Sequence, residues 1–266
     1  HSPVVPSPAW QGASGLNPHA DFVMQTDDSI GRVIQALRDG GMLERTLVIC
    51  SSDNGTSGPT SKKSELEQMG HFPSGDLRGA KADLWDGGHR VPFIAHWPEV
   101  IEAGTTSSAL VCLTDVLATA AEITGYPLPP GAGEDSISFL PVLQGADAHA
   151  RTDVIHHSVS GYFAVRQGRY KLLLCPGSGG WTQPKPTEKA WRQREQEGEP
   201  MVQLYDMAVD LGEAHYLATA MPEKLASLRA LLRKQVERGR STDGPMQTND
   251  VPVVIEKHPG ARSVTR

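Results

Sequence analysis

The chain has little of what a membrane span, a nucleic-acid binder or a disulfide-stapled domain requires. In 266 residues no uninterrupted apolar stretch approaches the ~18 to 20 residues that a helix needs to cross a bilayer. There is no basic excess either. Lys and Arg number 25 against 31 Asp and Glu, a formal charge of -6. Neutralising a phosphate backbone takes a basic surplus or a concentrated basic face, so general nucleic-acid binding is disfavoured, and any anion must be met by local groups. Cysteine is scarce: Cys50, Cys112 and Cys175 are far apart, odd in number and without CxxC spacing, which predicts buried structural thiols. The chain opens at His1 with no initiator Met, signal peptide or charged n-region, so its start reads as a cut within a longer protein and names no compartment. No internal repeat is visible. What remains is ordinary globular material, 38% hydrophobic and 21% charged, enough for one large domain or two modest ones.

Along the chain, Pro3, Pro6, Pro8 and Pro18 predict an irregular extended start. Phe22, Val23, Ile30, Val33, Ile34 and Leu37 recur at helical spacing over residues 20–38, and Gly40-Gly41 stops the pattern. Residues 46–50 form a short β-branched apolar run, which suits a strand buried on both faces of a parallel sheet. A helix feeding such a strand implies α/β architecture. Residues 54–80 read as a long loop, 91–97 as a strand, 114–124 as a helix ended by Gly125, and 137–143 as a helical turn. After Gly145 the pattern becomes an antiparallel meander of short strands at 154–158, 162–166 and 170–174, with Gln167-Gly168-Arg169 turning between the last two. Residues 176–200 are polar and read as a surface insertion, and 202–206 resumes as a strand. Leu225, Leu228, Leu231, Leu232 and Val236 mark an amphipathic helix over 223–238 that covers one face of that sheet. Three regions are thus expected: 1–148, a smaller antiparallel sheet with its helix over 149–240, and a mobile tail over 241–266.

Chemistry-bearing residues concentrate between Leu47 and Pro98. Asp53 and Asn54 directly follow the predicted buried strand, and the carboxyl ends of such strands are where open α/β sheets place ligands. Their oxygens are hard donors suited to Ca²⁺ or Mg²⁺, although Asp-Asn-Gly is also a good turn sequence. Lys81 lies in Arg78-Gly-Ala-Lys81, followed by Trp85-Asp86-Gly87-Gly88-His89-Arg90. A lysine offers a compact point charge to an anionic oxygen, and glycines let backbone approach closely. Taken singly, Lys81, Arg78, His89 and Arg90 are equally surface charges or ion-pair partners, as is His71 in the same loop and His156 in a later strand.

Together these spacings resemble the sulfatase family, the formylglycine-dependent sulfate-ester hydrolases of the alkaline-phosphatase-like superfamily. The resemblance is carried by His1-Ser-Pro-Val-Val-Pro, the helix with Asp27 leading to Thr46-Leu-Val-Ile, Ser52-Asp53-Asn54-Gly55, Leu77-Arg78-Gly79-Ala80-Lys81 and Trp85-Asp86-Gly87-Gly88-His89-Arg90-Val91-Pro92. Trp97-Pro98, Thr114-Asp115, Gly161 to Arg166, Tyr170-Lys171-Leu172 and Leu204-Tyr205-Asp206 extend it, to cover roughly residues 1–235. It implies part of an alkaline-phosphatase-like mixed sheet flanked by helices, then a smaller antiparallel sheet with a packed helix. It implies Asp53 and Asn54 as ligands of Ca²⁺, with Mg²⁺ as the alternative, Lys81 on the sulfate and its bridging oxygen, and His1 as a proton donor to the leaving group. Read from the residues themselves, His71, Arg78, His89 and His156 are further candidates for contact with the substrate, with a structural role left open for each. The substrate class would be a sulfated small molecule or carbohydrate, and the location periplasmic or extracellular.

One family feature is missing. No Cys-x-Pro-x-Arg or Ser-x-Pro-x-Arg motif, the source of the formylglycine nucleophile, occurs in this sequence. The expectation is therefore the C-terminal portion of a sulfatase, inactive in isolation. Two alternatives stand beside it: a phosphodiesterase or phosphonate ester hydrolase of the same superfamily, since metal-plus-lysine sites stabilise phosphoryl oxygens as well, and a non-catalytic binding remnant.

Overall fold

The structure, a computed structural model, describes residues 2–146, 151–183, 185, 187–198 and 200–257. The expected boundary at residue 148 falls outside them. The chain is α/β with antiparallel sheets, and it divides into two compact units, residues 1–81 with 86–105 and residues 82–85 with 106–266. No helix among the described residues is long and apolar enough to cross a membrane.

The first unit opens with irregular chain leading to α1 (Pro18–Asp39). Asn17 caps it: its side-chain oxygen accepts from the His19 and Ala20 amides, and Pro18 occupies the first turn, where a missing N–H costs nothing. Gly40 closes the helix and Gly41 takes the left-handed turn away from it. After a single 3₁₀ turn comes β1 (Val48–Ser51), followed by the short helices α2 (Gly58–Ser61) and α3 (Lys63–Gln68) inside what the sequence presented as a loop. One turn of helix, α4 (Asp86–His89), precedes β2 (Phe93–His96). Among the described residues β1 pairs with β2 alone, antiparallel, with Val48 opposite His96 and Ser51 opposite Phe93. This differs from the buried parallel strand expected for 46–50. Val48, Ile49 and Cys50 are only half-buried, so the apolar run is richer than the cover it receives here. Cys50 and Cys112 are likewise half-buried, and of the three thiols Cys175 alone has the expected buried setting.

In the second unit α5 (Asp115–Thr124) and α6 (Leu140–Leu143) precede a meander of β3 (Asp153–His157), β4 (Phe163–Gln167), β5 (Tyr170–Leu173) and, after α7 (Glu188–Gln196), β6 (Gln203–Asp206). The order is β3-β4-β5-β6, antiparallel throughout, and the Gly168-Arg169 turn brings Gln167 opposite Tyr170. α8 (Pro222–Arg238) covers one face: Leu228 and Leu232 pack on Val165, Leu172, Leu174 and Leu204. The opposite face buries Ala164, Leu173, Cys175 and Tyr205 against Leu84, Trp85, Tyr162 and Trp191. A sheet covered on both sides explains why β5 reads as a nearly continuous apolar run.

Residues 176–180, expected as surface insertion, are buried. Their glycines serve close packing: a Cβ on Gly180 would lie 2.2 Å from the Ala82 carbonyl oxygen, and one on Gly179 2.9 Å from Cys175 Sγ. The segment after Gly239, expected to be mobile, bonds back to its own unit as far as it is described. The Ser241 amide and hydroxyl donate to Asp135, Thr242 reaches the Glu134 carbonyl, and Arg233 meets Glu256 at 2.6 Å.

Candidate active site

β1 delivers the chain to Ser52 through Gly55, and local bonds shape that turn. The Ser52 hydroxyl donates to Asn54 O at 2.9 Å, and Asn54 Nδ2 donates to Gly55 O at 3.0 Å. Asp53 is exposed at its tip. With the amide nitrogen of Asn54 committed to Gly55, the carbonyl oxygen is the end of that side chain open to a cation.

Three separate stretches of backbone are laced together here. Gly55 N donates to Gly88 O at 3.0 Å, Lys81 N to Thr56 O at 2.8 Å, and Gly87 N to Arg78 O at 2.7 Å. The contacts are close enough to demand glycine. A Cβ at Gly55 would lie 1.8 Å from Gly87 O, and a Cβ at Gly87 would lie 2.5 Å from Arg78 O. Lys63 Nζ caps the Gly79 carbonyl at 2.8 Å, and Gly79 itself has φ +86°, open to glycine at little cost. The glycines, read in sequence as allowing close backbone approach, do so here as packing surfaces between the Asp53-Asn54 turn and the segments bearing Arg78, Lys81 and His89.

The structure brings Asp53, Asn54, Arg78, Lys81 and His89 onto these adjoining segments of the first unit. Lys81 and His89 are half-buried, and His71 is exposed on the loop after α3, tied to the same turn through Thr56 Oγ1 to Pro73 O at 3.5 Å. His156 belongs to β3 in the second unit, where its Nε2 lies 3.3 Å from Leu84 O. His1 lies outside the described residues.

Two residues outside the expected site set stand out here, His19, which the sequence offered only as structural variation, and Asp83, which it did not single out. Burial first, then nearby positive charge including that of His71, lowers the His19 imidazole below its ordinary value. Asp83, fully buried, accepts from the amides of Trp181 and Thr182 at 2.9 and 3.0 Å and from the Thr182 hydroxyl at 2.5 Å. With Leu84 N donating to Ser178 O and Val159 N to Ala82 O, it embeds residues 82–85 in the second unit. The only sequence signal for this was an aspartate inside an otherwise glycine-rich, basic cluster.

Among the described residues no group of three or more His, Cys, Asp or Glu is placed to hold a metal ion. Asp53 and Asn54 supply two hard oxygens, a set that suits Ca²⁺ or Mg²⁺ and that zinc, which favours Cys and His, would not select.

Comparison with known proteins adds a family. The family described as Sulfatase matches residues 2–126. N-acetylgalactosamine-6-O-sulfatase of Bacteroides thetaiotaomicron is 30% identical over 234 residues, 87% of this chain and 44% of that protein. Human arylsulfatase A is 33% identical over 277 residues, 98% of this chain and 52% of that one. A solved structure described under the metabolism of multiple glycosaminoglycans by Bacteroides thetaiotaomicron aligns with a TM-score of 0.75 at 29% identity, over 88% of this chain and 48% of the other. The chain spans about half the length of the relatives it matches.

Proposed function

Since the chain belongs to the sulfatase family, we propose that Asp53, Asn54 and Lys81 form part of a site that hydrolyses a sulfate ester. The observation that carries this reading is the lacing of Gly55 to Gly88 and of Thr56 to Lys81, which puts two hard oxygen donors and a lysine on adjoining backbone. Lys81 binds the sulfate and stabilises charge on its bridging oxygen. A calcium ion held by Asp53 and Asn54, or magnesium in its place, would supply positive charge toward the non-bridging oxygens. Two side-chain oxygens fill only a small part of the ~6 to 8 positions calcium takes, so the remaining ligands come from other residues or water. His1 is the proton donor to the departing alcohol, a role that suits an imidazolium. His71, Arg78 and His89 supply further contacts to the substrate.

The nucleophile in this reading is a formylglycine outside the present sequence, supplying the oxygen that attacks sulfur. A sulfated carbohydrate is the substrate class, supported by the N-acetylgalactosamine-6-O-sulfatase relative, and a periplasmic or extracellular setting goes with it. A parent protein carrying a Cys-x-Pro-x-Arg or Ser-x-Pro-x-Arg motif should turn over an aryl sulfate, and Lys81→Ala should lower kcat by about 10²- to 10³-fold, the loss typical of one charge-stabilising donor. Faster turnover of the matching aryl phosphate would shift the assignment to phosphoryl transfer. The 266-residue chain alone should show no turnover and weak calcium binding by calorimetry; tight binding would overturn the partial ligand set.

A further inference from the structure

The Asn54-Gly55 step carries a second chemistry. The sequence has three asparagines: Asn17 precedes Pro18, Asn249 precedes Asp250, and Asn54 precedes Gly55. A backbone nitrogen can attack the side-chain amide of the asparagine before it. Proline has no N–H for this, and Asp250 crowds its own nitrogen, whereas glycine leaves the path open. Exchanging Gly55 would remove the hazard, and the fold forbids it. Gly55 is not in the left-handed region, so the demand for glycine is purely steric: any Cβ would collide with Gly87 O at 1.8 Å.

The same contact restrains the reaction. Gly55 N, the attacking atom, donates to Gly88 O at 3.0 Å, and Asn54 Nδ2, the leaving group, donates to Gly55 O at 3.0 Å. We propose that Asn54 is a latent deamidation site, held unreactive by the docking of Gly55 on Gly87-Gly88 and converting when that contact opens. In the open state Gly55 N loses its proton and bonds to Asn54 Cγ. The Cγ–Nδ2 bond breaks, and ammonia leaves with that proton. Water then opens the five-membered imide at either carbonyl, giving aspartate or isoaspartate at position 54. Either product sets a second carboxylate beside Asp53. The isoaspartate also lengthens the main chain by one carbon where not even a Cβ fits, so the turn does not redock. The effect on a cation site rests on the function proposed above; the modification itself does not.

The test is peptide mapping of the full 266-residue chain after incubation in mildly alkaline buffer, native and in urea, resolving asparagine, aspartate and isoaspartate at each of the three positions. In urea, position 54 should convert first, position 249 should lag and position 17 should stay intact. In the native chain, conversion at 54 should be slower by about tenfold or more, the protection given by a local opening free energy of ~1.4 kcal/mol. Gly87→Ala, whose Cβ would press 2.5 Å from Arg78 O, should raise the native rate and leave the urea rate unchanged. Equal rates in native and urea samples of the unaltered chain overturn the proposal whether or not that variant folds, as does faster conversion at 249 in urea. No arm measures ester hydrolysis, so failure here is distinct from failure of the sulfatase reading.

Discussion

Lys171 and Glu213 show what a single pair demands of this fold. Both side chains are 0% exposed and meet at 2.9 Å, and Glu213 reaches its position with φ +49°, a left-handed conformation that costs a non-glycine residue about 1 to 2 kcal/mol. Taking two charges out of water is itself unfavourable, so the pair persists because each partner compensates the other rather than because it adds much net stability. Lys171→Met alone should therefore cost about 3 to 5 kcal/mol in urea unfolding, by stranding a buried carboxylate. Lys171→Met with Glu213→Gln should recover most of that, and a double variant no more stable than the single would sink the argument. Nothing local announced the pair: Lys171 reads as an ordinary strand residue, and Glu213 belongs to no motif. Asp83 was hidden in the same way, because its partners Trp181 and Thr182 are remote in sequence. Asp53, Asn54 and Lys81 could be nominated as candidates because strand end, glycine and charge sit side by side in the chain.

Elements whose determinants are local came through clearly. α1 was readable from its apolar spacing and Gly40-Gly41 stop, and α8 from its leucines. The β4–β5 hairpin followed from Gly168 between two apolar runs. What failed were the features set by a partner: the antiparallel mate of β1, and the burial of 176–180, whose glycines look like a solvent loop until Ala82 is placed against Gly180. The anchoring of α1 yields a pH prediction. Asp21, in its first turn, accepts from the Ser14 hydroxyl at 2.6 Å and from the Ser14 and Gly12 amides, both at 2.8 Å. Those bonds, the hydroxyl foremost, hold its carboxyl below the ordinary value. A depressed folded value contributes stability above the unfolded carboxylate pKa of about 3.9, and that contribution disappears as pH falls through the folded value. Helical circular dichroism in urea titrations should show stability falling as the solution is acidified below about pH 4, and Asp21→Asn should flatten that decline. An unchanged acid limb in the variant would show that other carboxylates govern it.

Across the whole molecule, apolar burial is unevenly shared. Among the described residues both hydrophobic clusters, one on each face of the β3–β6 sheet, belong to the second unit. In the first unit the buried apolar side chains are Ala20, Leu43, Leu66 and Ala80, while Phe22, Val23, Met24 and Val33 on α1 and Ile94 on β2 are exposed. A 22-residue helix that buries little more than its first turn is held chiefly by its cap and by the Asp21 bonds, since most helical stability in proteins comes from packing an apolar face. The apolar spacing had marked the helix; it carried no information on whether that stripe is covered. Local opening should therefore be easiest in the first unit. Amide hydrogen exchange of the 266-residue chain should be slowest in β4, β5 and α8 and faster along the second half of α1 and in β1 and β2, by at least the tenfold that ~1.4 kcal/mol of extra opening cost confers. The chain should also bind a hydrophobic dye while its β3–β6 sheet stays protected, because the exposed apolar positions of α1 and β2 need no unfolding to be reached. Protection along α1 equal to that in β4 and β5 would mean that the first unit has cover of its own, and the argument from burial would fail.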